Sequence, residues 1–211
     1  MEIAIFTFNP FQENTYILYD DSYECIIVDP GCSNDSEKDQ LRTFIQSKNL
    51  KPINLVNTHC HIDHVLGNDF VSKTYNLPLT SHKGEEQNLQ SQAMVANMYG
   101  LPYTPSPPIT QFLEEGDILA FGKTNLEIIF APGHSPAHIC LFEKNTRILI
   151  AGDVLFFESI GRTDLPGGNH ESLIHNIKSK LFKLPVDTRV YPGHGPLTSI
   201  GHEINHNPFC Q

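Results

Sequence analysis

Four strong ligand side chains crowd into six residues of this chain, His59-x-His61-x-Asp63-His64, directly after a short apolar run, Ile53 to Val56, that reads as a strand. Such a loop belongs at a strand end, where sites are built in parallel α/β sheets. In an extended loop side chains alternate, so His59, His61 and Asp63 are expected on one side and Cys60 and Ile62 on the other, with His64 following a bend. Four donors exceed what one four-coordinate ion takes from so short a loop, so the spacing predicts two metal ions sharing it. Cys60, turned away, is expected to be a small buried thiol.

The rest of the pattern supplies a scaffold. Ile3 to Phe8, Thr15 to Tyr19 and Cys25 to Val28 read as strands, the last closing at the turn Asp29-Pro30-Gly31. Asn34-Asp35-Ser36-Glu37 reads as a helix start, with Leu41, Phe44 and Ile45 on its apolar face. Lys83 to Met98 reads as a helix, ended by a link rich in proline (Pro102, Pro105, Pro107, Pro108). Strands follow near Ile118 to Phe121, Leu126 to Phe130, His138 to Phe142 and Arg147 to Ala151. Leu173, Ile174, Ile177 and Leu181 mark a further helix, and Thr188 to Tyr191 a last strand. Pro-Gly-His occurs twice just after a predicted strand, at 132–134 and 192–194, which suggests two similar halves each offering ligands at strand ends.

Composition narrows the function classes. The 211 residues carry 14 Lys and Arg against 24 Asp and Glu, a formal charge of −10, with no basic run, which argues against nucleic acid as the main partner. No apolar stretch is long enough to span a bilayer, and the N-terminus makes a poor signal peptide. Five widely spaced cysteines without a C-x-x-C pair fit reduced thiols in the cytoplasm. The length suits a single domain, 1–211. Oligomeric state is not legible in the sequence.

The ligand loop, together with Pro132-Gly133-His134-Ser135-Pro136, Ala151-Gly152-Asp153-Val154-Leu155 and Pro192-Gly193-His194-Gly195-Pro196, resembles the metallo-β-lactamase-fold hydrolases, in the same order and over almost the whole chain. Gly161-Arg162-Thr163-Asp164 and Asn207-Pro208-Phe209 make it most similar to their short glyoxalase II-like (hydroxyacylglutathione hydrolase-like) group. The resemblance implies an α+β fold, a four-layer αββα sandwich. It implies that His59, His61 and His134 hold one divalent ion, that Asp63, His64 and His194 hold a second, and that Asp153 bridges them. Zinc is the expected metal, with iron or manganese as alternatives. Asp63 is also expected to orient the attacking hydroxide, making it the catalytic candidate.

By formal count such a site keeps a net positive charge, which suits a small anionic thioester or ester substrate, and without a spanning stretch no membrane partner is expected. A thiolate leaving group needs little protonation, so the pattern favours thioester hydrolysis of the hydroxyacyl-glutathione type. About seventeen residues follow His194 without a Lys or Arg, so glutathione recognition through the family's usual helical extension is not expected. Two other activities stay open: a mononuclear iron persulfide (sulfur) dioxygenase of the same fold, built on His59, His134 and Asp153, and a lactone or other ester hydrolase. Arg162 is a candidate to bind a substrate carboxylate or to brace the site. His138 is either a buried histidine bonded to backbone or a support for the ligands.

Overall fold

Val28 and Val56 end two parallel strands side by side, and this junction is what positions the ligand loop. The computed structural model describes residues 1–211. Glu2–Phe8 (β1), Glu13–Tyr19 (β2) and Glu24–Val28 (β3) form an antiparallel meander. β1, at the sheet edge, has exposed and half-buried positions and ends at the buried Phe8, whereas β2 and β3 are buried on both faces. Helix α1 (Asp35–Ser47) then leads into β4 (Lys51–Val56), parallel to β3.

Asn34 caps α1 as expected, its side chain accepting from the Glu37 N–H at 3.0 Å. The reciprocal half of the capping box is absent. Glu37 instead accepts from the backbone N–H groups of Ser33 and Asn9, tying the helix start to the β1–β2 turn. Leu41 and Ile45 bury their side chains against Ile17, Cys25, Ile27 and Leu55 of the sheet.

After β4 the chain forms α2 (Ile62–Val65), α3 (Asn68–Tyr75), β5 (Leu79–Ser81), a single 3₁₀ turn (Lys83–Glu85), α4 (Glu86–Tyr99) and β6 (Ile109–Phe112). The first sheet runs β1-β2-β3-β4-β5-β6, parallel from β3 onward. The helix expected from Lys83 to Met98 thus begins with a 3₁₀ turn and stops at Gly100, whose φ of 67° lets the chain leave the helix.

The remaining strands are β7 (Ile118–Phe121), β8 (Thr124–Phe130), β9 (Ile139–Glu143), β10 (Ile148–Gly152), the hairpin β11 (Leu155–Phe156) and β12 (Ser159–Ile160), β13 (Arg189–Pro192) and β14 (Thr198–Ser199). The second sheet runs β14-β13-β10-β9-β8-β7, with β10 and β13 parallel. Helices α5 (His170–Ser179) and α6 (Ile200–His206) supply Leu173, Ile177 and Ile200 to a core with Leu149, Ala151 and Val190. Leu181 falls outside the expected helix: α5 ends at Ser179, and Leu181 opens a 3₁₀ turn while staying fully buried in that same core.

The chain divides into two compact units, Met1–Phe112 with Ala120–Thr124, and Leu113–Leu119 with Asn125–Gln211. Both Pro-Gly-His segments lie in the second unit, after β8 and β13, so the expectation that the echo marks two similar halves is corrected. No helix is long and apolar enough to cross a membrane.

Candidate metal centre

In the first unit, Asp29 follows β3 and Thr58 and His59 follow β4 as neighbours. The Asp29 N–H continues the ladder to Val56 O at 2.9 Å, and Asp29 itself takes a left-handed φ of 50°. That bend aims its carboxylate at the incoming loop. Oδ1 accepts from the Thr58 N–H at 2.7 Å and Oδ2 from the Thr58 hydroxyl at 2.6 Å. A hydroxyl has one hydrogen, and Thr58 gives it to Asp29. Toward His59 Nδ1, 3.2 Å away, the same oxygen therefore acts as acceptor, so the proton of a neutral His59 sits on Nδ1 and its Nε2 carries a lone pair.

The loop does not stay extended. His61 has φ −75° and ψ 159° and precedes α2, so Asp63 and His64 are presented by a helical turn. The expected alternation is corrected here: it ends at His61, because the chain closes a bond from the His64 N–H to His61 O at 3.1 Å. Cys60 is buried as expected, and burial pushes its thiol well above the ordinary range. The His59 ring centre lies 4.7 Å from that of His61 and 4.1 Å from that of His64. Asp29, His59 and His64 each place a donor atom within 4.8 Å of the others. His64 Nδ1 is 3.1 Å from Asp29 Oδ2, and its Nε2 is 3.8 Å from Asp63 Oδ2.

Three side chains in this unit had no role in the sequence reading. Asp29 reads there only as part of a Pro-Gly turn, yet an acid at a strand end beside the ligand loop was the available signal. Glu85, fully buried, accepts from the Cys60 N–H and from Asn88 Nδ2, both at 2.9 Å, so it grips the backbone between His59 and His61. Glu13 lies 3.9 Å from His64, and burial raises its carboxyl well above the usual range. Neither Glu85 nor Glu13 has a local sequence signature.

In the second unit the Pro132-Gly133-His134 segment is clamped by α5. Gly133 O accepts from the Asn169 N–H at 2.7 Å, and Asn176 Nδ2 donates to Pro132 O at 2.9 Å. Gly133 has φ 137°, and a Cβ there would stand 2.4 Å from Leu173 N. His134 Nδ1 donates to the Arg162 carbonyl at 2.7 Å, since a carbonyl can only accept, which again leaves Nε2 with the lone pair of the neutral ring. The Arg162 side chain pairs with Asp164 through two bonds of 2.7 Å, and that guanidinium holds the exposed Asp164 carboxyl down to about 2. Arg162 thus meets His134 through its backbone, and a substrate carboxylate would compete with Asp164 for its side chain.

Asp153 follows β10 and His194 follows β13. These strands are parallel neighbours, and the Gly193 N–H donates to Gly152 O at 2.8 Å. Asp153 Oδ2 lies 3.5 Å from His134 Nε2 and 3.6 Å from His194 Nε2. These separations are too long for hydrogen bonds and close to the roughly 3.4 Å between two ligand atoms on one tetrahedral ion. Lone pairs facing one another at this distance repel unless a proton or a cation stands between them. The donor set therefore suits a divalent metal. His138, fully buried, accepts the Asp153 N–H on Nε2 at 3.0 Å and so fixes the strand end that carries the carboxylate.

Residues 8–194 match the profile of the metallo-beta-lactamase superfamily. The chain is 38% identical over 203 residues to the Bacillus subtilis (strain 168) protein named Probable metallo-hydrolase YqgX, covering 95% of this chain and 93% of that one. It is 36% identical over 211 residues to Hydroxyacylglutathione hydrolase GloC of Haemophilus influenzae, covering 99% and 98%. Among solved structures, the BLEG-1 B3 metallo-beta-lactamase has a TM-score of 0.91 at 36% identity over all of both chains. TTHA1623, crystallised in a di-iron-bound form, has a TM-score of 0.88 at 33% identity, covering 98% and 99%.

Proposed function

Because the chain belongs to the metallo-beta-lactamase superfamily and has its α+β fold, we propose that this metal-dependent hydrolase is a dinuclear enzyme cleaving a thioester. His59, His61 and His134 would hold one ion, Asp63, His64 and His194 the other, and Asp153 both. The observation that carries this reading is the near-equal approach of Asp153 Oδ2 to two histidine nitrogens, 3.5 and 3.6 Å, which suits a shared oxygen better than a one-sided ligand. Two divalent ions held there would acidify water and polarise the substrate carbonyl, zinc serving both purposes without redox chemistry.

The chain's own groups do the positioning. Thr58 and Asp29 set the His59 ring, the Arg162 carbonyl sets His134, and His138 sets Asp153. Asp63, partly open to solvent, is the carboxylate available to orient water and take up its proton. No side chain is assigned as general acid. A departing thiol with a pKa of roughly 8.5 leaves as thiolate near neutral pH, which favours a thioester over an amide. The relative named hydroxyacylglutathione hydrolase supports the same substrate class. Five free, buried cysteines are compatible with a cytoplasmic setting.

A second reading is a mononuclear iron persulfide dioxygenase acting through His59, His134 and Asp153, since the 3.5 Å between Asp153 Oδ2 and His134 Nε2 also suits two ligands of one ion. The test is a panel on freshly purified protein: a hydroxyacyl-glutathione thioester, a simple thioester, a lactone, a β-lactam, and oxygen uptake with glutathione persulfide. Thioester hydrolysis is expected to be fastest. Oxygen consumption without thioester cleavage would replace this reading with the second.

A further inference from the structure

The β1–β2 turn carries an aromatic side chain that stays partly open to solvent and whose backbone is fastened, through Asn9, to the ligand loop. Asn9 and Gln12 take left-handed φ values of 52° and 57°, and the Gln12 N–H donates to Asn9 O at 3.1 Å, so the turn is tight. One carboxamide does two jobs. Asn9 Oδ1 accepts from the Phe11 N–H at 3.0 Å, while Asn9 Nδ2 donates to the carbonyl of Asp63 at 3.0 Å and to that of Gly31 at 3.1 Å. Phe11 and Asp63 are thus held at opposite ends of a single amide group.

The Phe11 ring packs edge-on against Tyr99, the last residue of α4, at 5.5 Å between centres. The two residues are 36% and 56% exposed, and Met98 beside Tyr99 is 75% exposed. A lone exposed ring is ordinary, whereas a rigidly presented aromatic pair beside a ligand loop marks a binding surface. Its electrostatics narrow the ligand. Residues 1–37, which include the turn, and 84–122, which include α4, contain no Lys, Arg or His. An arm bearing carboxylates, as glutathione does, would find no cation on either segment.

We propose that Phe11 and Tyr99 form the subsite for the thiol arm of the substrate, and that this arm is apolar and uncharged, a short alkyl or aryl thiol. This rests on the thioester reading, and its test separates the two. The chain has no tryptophan, so Phe11→Trp introduces a single indole reporter at the tip of the turn. The probes are benzyl methyl sulfide and S-methylglutathione, thioethers that keep each arm but ligate metal poorly.

The first is expected to quench the indole and the second to leave it unchanged. In parallel, Tyr99→Ala is expected to raise KM for S-benzyl thioacetate about tenfold, with kcat within about twofold and KM for S-acetylglutathione unmoved. Quenching by the benzyl probe without turnover of any thioester would uphold the apolar subsite and overturn the thioester reading. Thioester turnover with no quenching, and equal KM values for wild type and Tyr99→Ala on both substrates, would overturn the subsite.

Discussion

Thr58 has one hydroxyl hydrogen, and its destination fixes which nitrogen of His59 is offered to metal. The bonds to Asp29 and His59 make Thr58→Val an informative change, because the side chain keeps its shape and loses only the relay. Supports of this kind are worth about 10- to 100-fold in metal affinity, so competition with a chelator should show zinc binding weakened by about that factor. Unchanged affinity would mean that His59 is oriented by other means. His138 makes the complementary case. His138→Ala removes the acceptor for the Asp153 N–H and should lower activity while elemental analysis finds metal close to wild type. Loss of metal in proportion would make His138 a ligand. At this scale the candidate ligands were the most legible residues, since such side chains advertise themselves by type and spacing. Asp29, Asn9 and Glu85 were not, because each acts on a backbone group across 25 or more residues of chain, or more than one such group.

At the scale of elements, strands and helices with a dense apolar pattern were read correctly: β3, α1 and β4 stand where the pattern and the Asn34 cap placed them. The helices α3 and α6 were not read, and the missed strands share a cause. β5, β6, β11, β12 and β14 have two to four residues each, too few to show a period, and tertiary pairing alone makes them strands. α2 was read as extended because its polar ligands hide a helical turn of four residues. Asn34→Ala should lower unfolding stability by about 1 kcal/mol, read as a shift in urea midpoint at constant slope. No shift would mean that the Glu37 bonds, not the cap, hold the start of α1. Gly133→Ala is a harsher change: its Cβ would strike the backbone of Leu173, so the His134 segment must move. Expression of a folded protein that binds less metal is expected, and wild-type metal content would show that the α5 clamp does not position His134.

At the scale of the whole molecule, all five cysteines are buried and free, and burial pushes the Cys25 thiol up to about 12. In an unfolded chain a thiol titrates near about 8.5. With the folded value the higher, the native state keeps a proton that the unfolded chain gives up. Stability is therefore full below about pH 8.5 and falls as pH rises toward 12. Urea midpoints should drop between about pH 8 and 10.5, and Cys25→Ala should flatten part of that drop. A wild-type midpoint level across this range would contradict it. The two compact units were not visible in the sequence, because chain order alone does not show that residues 120–124 join the first unit and 113–119 the second. The seven candidate ligands, by contrast, can be picked out from the sequence by type and spacing, and the proposal to be tested is that they hold two ions. Elemental analysis of anaerobically purified protein tests it most directly. Close to two metal equivalents per chain are expected in the wild type, with most of that metal lost in Asp153→Ala; one equivalent in the wild type, or two tightly held ions in Asp153→Ala, would contradict the dinuclear site.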